Sequence, residues 1–150
     1  MIKIIHPIAG CIAFVVIALF WVSSLGAELF GTDAQIVAIK TAIPWGMIIL
    51  VPAMIAVAGS GFTRARGRRG GVLDAKAKRM PIIAANGVLV LIPSALYLSR
   101  KAQVGELDAV FYGVQTLELA AGALNLVLLG LCMRDGLRLT GRLKRRAVHA

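Results

Sequence analysis

Four stretches of unbroken apolar character organise the chain. Residues 4–27 contain no Asp, Glu, Lys or Arg over 24 positions, and 41–62 and 80–99 are likewise free of them over 22 and 20. The fourth stretch, 109–133, spans 25 positions with Glu118 as its single charge. A bilayer core of about 30 Å requires about 20 helical residues, which all four satisfy. They are continuous rather than alternating, and too long for single strands. Lipid supplies no hydrogen bonds to a bare backbone, so each stretch is expected to be a helix. The expected fold is therefore all-α, an up-down bundle of four transmembrane helices forming a single membrane domain over residues 1–150. The first stretch exceeds the roughly 7–15 apolar residues of a signal peptide and follows only Lys3, so a retained span is expected.

Charge orients the spans. Fourteen of the seventeen Lys and Arg residues lie at the start of the chain, in the basic loop 63–79 or in the basic tail 134–150. The intervening segments, 28–40 and 100–108, hold only Lys40, Arg100 and Lys101, opposed by Glu28, Asp33, Glu106 and Asp108. The positive-inside rule then places both termini and the middle loop in the cytoplasm. Composition agrees: 59% hydrophobic, 16% charged and a mean hydropathy of +0.83. The net charge of +10 would suggest nucleic acid in a soluble protein. Here the arginines are topogenic and suited to anionic headgroups, no aromatic residues interleave with them, and no nucleic-acid partner is expected. Cys11 and Cys132 lie within apolar stretches and read as small fillers rather than a disulfide framework.

The polar residues that interrupt the apolar stretches are the candidates for chemistry, because burial in lipid demands a partner or a task. Glu118 lies near the middle of the fourth span, and Gln115, Gly122 and Asn125 share its helical face. This stripe suits a proton or ligand pathway, or a hydrogen-bonded lock between helices. Asn86 in the third span lies at similar depth to Asn125, so the two are expected to pair. His6 opens the first span, with Pro7 expected in the first helical turn and Gly10 one turn deeper leaving room beside the imidazole. Met80 and Met133 end the third and fourth spans on the cytoplasmic side, nominally level with His6. Pro44 and Pro52 predict a kinked second span. Trp45, Phe30 and Tyr112 fit an outer aromatic belt, whereas Trp21 lies deep for that role. No GxSxG, Walker loop, HExxH, CxxC or CxxCH motif occurs, which removes the corresponding hydrolytic and nucleotide chemistries.

Through IHPIAGCIAF at the start, KTAIPWGMIILVPA, KRMPIIAANGVLVLIP and LNLVLLGLCMRDGLR, the chain resembles small bacterial inner-membrane proteins of four helices. Through a histidine at a helix end beside small residues it is also similar to small membrane b-type cytochromes. That second resemblance implies haem b, electron transfer and a quinone as redox partner. His6 would be an axial ligand to the metal, and Gly10 would admit the porphyrin edge. Met80, Met133 or His6 of a second copy would be the opposite ligand, and Arg79, Lys78 and Arg134 would pair with propionates. The alternatives are a proton-coupled transporter or channel for a small solute, built around Glu118, and an accessory subunit without chemistry of its own. A homodimer is expected, since symmetry would bury polar faces that a lone bundle exposes.

Overall fold

A computed structural model describes residues 2–65 and 71–139, with side chains at 5–60 and 78–138. Apart from 31–32 and 104–108, every described residue is helical, and no strand occurs among them. Helix α1 runs Ile2–Phe30, α2 Asp33–Ala65 and α3 Gly71–Asn86. A π-helical segment Gly87–Leu91 joins α3 to α4, Ile92–Gln103, and α5 spans Ala109–Leu139. Four helical rods result, each with a segment long and apolar enough to cross a membrane: Ile5–Phe30, Asp33–Ser60, Lys78–Gln103 and Ala109–Arg138. The third rod is α3, the π segment and α4 in continuous succession. Pro93 explains its irregularity, because proline supplies no N–H to the turn before it and its ring crowds that turn's carbonyl.

The bundle is closed by α1 packing on α2 and α5, α2 on α4, and α5 on α3 and α4. Side-chain contacts set the register. Trp21 reaches Leu119 while Phe14 lies against Gly130, so α1 runs antiparallel to α5; His6 at its start reaches Ser60 near the end of α2, so it is antiparallel to α2 as well. Arg79 meets Asp135 and Asn86 meets Asn125, so α3 is antiparallel to α5.

Local signals place the helix ends. Thr32 N–H donates to Gln35 Oε1 at 2.9 Å, while Thr32 O accepts from Gln35 N and Ile36 N. Thr-x-x-Gln is a capping-box spacing, and the helix it opens begins eight residues before the apolar stretch expected from 41. The expected outer loop 28–40 therefore shrinks to two residues, and Lys40 lies two turns inside α2. At the other connection, Glu106 N bonds Lys101 O and Gly105 N bonds Ala102 O, the paired closure of a Schellman motif. Gly105 supplies the positive φ of 75° that this motif needs. Asp108 Oδ1 then caps α5, accepting from Phe111 N at 2.8 Å. Helix α1 begins earlier than expected, so Pro7 falls beyond the first turn.

Burial differs from that of a water-soluble bundle in two respects: polar side chains are buried beside the apolar core, and large apolar side chains cover the outside. Buried positions include Ser24, Lys40, Ser94, Ser99, Gln115, Asn125 and Asp135, while Leu19, Ile55, Leu89 and Val127 are more than half exposed. Polar groups gather inside and branched aliphatic groups point out, as a lipid environment requires. The chain is a multi-pass membrane protein. Its apolar core is split. Ala27, Ile36, Leu98, Ala102 and Phe111 form one cluster, and Ile17, Ile83, Leu129 and Cys132 the other. Ser24, Lys40, Gln115, Glu118 and Asn125 lie between them along the helices, and Asp135 lies beyond the second.

Candidate functional site

Three helices converge on the layer between the apolar clusters. From α2, Lys40 is 1% exposed and ion-pairs through Nζ with Glu118 Oε2 of α5. The same nitrogen donates to Ser24 Oγ of α1 at 3.1 Å. An ammonium here must be paired, because an isolated charge in an apolar interior is prohibitively desolvated. The pairing exists because α2 starts early enough to carry Lys40 to the depth of Glu118, which itself is only 12% exposed.

Around this pair the hydrogen bonding is incomplete. Gln115, one turn before Glu118, is 2% exposed, and neither its Oε1 nor its Nε2 has a hydrogen-bond partner. Glu28 Oε1 is also buried without one. The α1–α5 register puts these two at one level. Trp21 lies against Gly122, and Glu28 and Gln115 are each seven residues from those positions, in the antiparallel directions that keep them level. A half-satisfied buried network is costly where no water competes, so a site of this form suits a polar occupant.

No protein-family model, curated protein or solved structure matches the chain. The chemistry of the site is therefore read from its own groups: one ammonium, two carboxyls, a hydroxyl and a carboxamide, on three different helices.

Trp21 bounds this layer on its inner side. Its Nε1 donates to Leu119 O at 2.8 Å, and its ring packs so tightly on Gly122 that a Cβ there would be 2.9 Å from Cδ1. The tryptophan judged deep for a belt is thus a packed, hydrogen-bonded wall. Beyond it, Asn86 Nδ2 donates to Asn125 Oδ1 at 3.0 Å and to Ala121 O at 2.8 Å. The expected Asn86–Asn125 pair is present, immediately before the π segment. Glu118 and Gln115 belong to the site above; Asn125 shares their helix but bonds α3.

At the cytoplasmic end expected from the charges, Arg79 Nη1 bonds Asp135 Oδ2 at 2.6 Å, and Arg134 Nε lies 3.6 Å from the other oxygen. Arg79, expected to face propionates, is thus committed to an acid that the sequence reading passed over. Met80 and Met133 are half-buried. Phe14 lies against Gly130, which puts Met133 opposite Gly10 and Cys11 rather than His6. The offset from His6 is five residues, about 7.5 Å along the axis. Gly10 has open space at its Cβ position, as expected.

His6 Nδ1 is 2.9 Å from Ser60 Oγ, and that hydroxyl bonds Ala56 O at 2.5 Å. In the tautomer with hydrogen on Nδ1, His6 donates to Ser60 Oγ. Among the described residues no three His, Cys, Asp or Glu side chains form a metal-binding group.

Lys40, Glu28 and Asp135 are not singled out by the apolar pattern: Lys40 and Glu28 border the expected outer loop, although Glu28 shares a helical face with Trp21 and Ser24, and Asp135 falls in the basic tail. The Thr32-x-x-Gln35 spacing was the available signal that the helix begins earlier and carries Lys40 inward.

Proposed function

We propose that this protein moves a small polar solute across the cytoplasmic membrane of a bacterium, coupled to a proton, through the layer centred on Lys40 and Glu118. The buried Lys40–Glu118 pair beside an unsatisfied Gln115 carries this reading. Intramembrane ion pairs facing a bundle interior mark substrate and proton routes, and unsatisfied polar atoms beside them offer an occupant its contacts. Both termini and residues 66–79 lie in the cytoplasm in this proposal. With Lys40 buried, only Arg100 and Lys101 remain as basic residues of the opposite side, so the charge asymmetry is steeper than the sequence alone suggested. Two copies would thicken the wall that four helices provide around a pathway.

Proteoliposomes with an imposed pH gradient and an internal pH-sensitive dye test the reading. The wild type is expected to dissipate the gradient, and Glu118→Gln to slow this at least tenfold while retaining its helical circular dichroism. Equal rates in the two proteins would remove Glu118 from the pathway.

A second reading has its own observation, the His6–Ser60 bond. An axial histidine commonly donates Nδ1–H to an oxygen while Nε2 faces the iron. His6 would hold a haem b beside Gly10, with Met80 or His6 of a second copy as a further ligand, whereas the register sets Met133 apart from His6. Bound haem would supply one-electron chemistry toward a quinone. An absorption spectrum before and after dithionite decides it: a Soret band that His6→Ala abolishes supports haem, and a colourless protein from haem-replete cells rejects it.

A further inference from the structure

The polar layer contains two carboxyls and one ammonium. If all three are ionised, it carries one net negative charge inside the bundle. Lys40 and Glu118 are the charged groups that act on Glu28 electrostatically, one from α2 and one from α5, the two helices packed on α1. Asp33, at the start of α2, is exposed. Lys40 already spends donors on Glu118 and Ser24, and it donates no hydrogen bond to Glu28. Glu28 also lies in the last turn of α1, where unpaired carbonyls present the negative end of the helix dipole. Of the charges around Glu28, only that of Lys40 is opposite in sign to a carboxylate. Level with it, the fully unsatisfied Gln115 offers a carbonyl oxygen.

We infer that Glu28 and Gln115 together hold one exchangeable monovalent cation, a proton or an alkali metal ion, which balances the charge of the Lys40–Glu118 layer. The inference rests on the reading of this layer as a transport site and names the species that Glu28 takes up. A proton on Glu28 turns an acceptor into a donor. A metal ion accepts lone pairs from both the carboxylate and the amide oxygen. Either one relieves the uncompensated charge and supplies a buried oxygen that now lacks a partner. Lys40 and Glu118 form the fixed part of the site, and Glu28, half-buried near the end of α1, forms the exchanging part.

Thermal unfolding of the detergent-purified protein, followed by the fluorescence of Trp21 and Trp45, tests this without reference to flux. Anything that binds only the folded state raises the midpoint with its concentration. In choline chloride, a midpoint that rises as pH falls from alkaline toward neutral, and that NaCl and KCl leave unchanged, identifies a proton. A midpoint at alkaline pH that rises with NaCl or KCl over equal choline chloride identifies a metal ion. Glu28→Gln, which supplies a neutral isostere, is expected to abolish the dependence and to match the cation-saturated wild type. Gln115→Leu is expected to weaken it about tenfold in the concentration required. A wild-type midpoint indifferent to pH, Na+ and K+ overturns the inference, as does a dependence that survives in Glu28→Gln. Should Glu28→Gln fail to fold, the wild-type and Gln115→Leu titrations still decide. Cation-dependent stability without gradient dissipation leaves this site standing and removes transport. Gradient dissipation together with a midpoint indifferent to pH, Na+ and K+ removes this site and leaves transport standing.

Discussion

Lys40 shows how one side chain depends on its partner at this depth. Removing one member of a buried ion pair strands the other charge, at a cost of about 3–5 kcal/mol, whereas replacing both with apolar groups is often neutral. Lys40→Met is therefore expected to destabilise the fold by about that amount, and Lys40→Met/Glu118→Leu to recover most of it. Chemical unfolding of the four proteins of the cycle in mild detergent measures this; additive losses would mean that the pair is not coupled. Asp108 is a contrasting, exposed case. Its hydrogen bond to Lys101 at 2.5 Å, followed by that from Phe111 N–H, holds its carboxyl below the usual aspartate range. A depressed folded pKa contributes stability above the unfolded value and loses it as pH falls through the folded one. Acid unfolding should therefore steepen below the ordinary aspartate range, and Asp108→Asn should flatten that limb of the profile.

Among the elements, the α1–α5 contact is the most exacting. Trp21 lies where any side chain at position 122 would stand. Gly122→Ala should force the ring away, stretch its bond to Leu119 O and cost about 1–3 kcal/mol through overpacking. A red shift of tryptophan emission would accompany the loss, and an unchanged spectrum would show that the contact is looser. The asparagine pair between α3 and α5 is a milder tie. Asn125→Ala is expected to cost about 0.6 kcal/mol, the average for interhelical hydrogen bonds in membranes. Differences between apolar stretches and helices also arise at this scale. Hydropathy reports the part of a helix that lipid must cover, and the capping atoms report where the helix starts. Residues 33–35, capped by Thr32, therefore belong to α2 although no part of 32–35 is strongly apolar.

For the whole molecule, the charge distribution makes the testable statement. In a background with Cys11 and Cys132 replaced by alanine, Glu106→Cys is expected to react with an impermeant maleimide on intact cells, and Arg138→Cys only after the membrane is opened. The reverse pattern would invert the proposed orientation. The same distribution explains why 28–40 looks like a loop in the sequence although most of it is helical. In a sequence, a basic residue beside an apolar stretch counts toward a loop, whereas within a bundle an acid from another helix can hold it inside.

What the sequence determined by itself was the class of the protein: four apolar segments of membrane-spanning length, helical because lipid leaves the backbone no other partners. It also indicated Glu118 as anomalous and the Asn86–Asn125 pair, since depth along a helix follows from residue counting. Only the tertiary structure decided that Lys40 and Glu118 meet, that Asp135 takes Arg79, and that Glu28 lies level with Gln115. Those pairings join residues 78, 56 and 87 positions apart, and they depend on helix register and rotation. Packing of small against large residues, such as Gly122 on Trp21, sets both, and a hydropathy pattern carries no information about which face meets which.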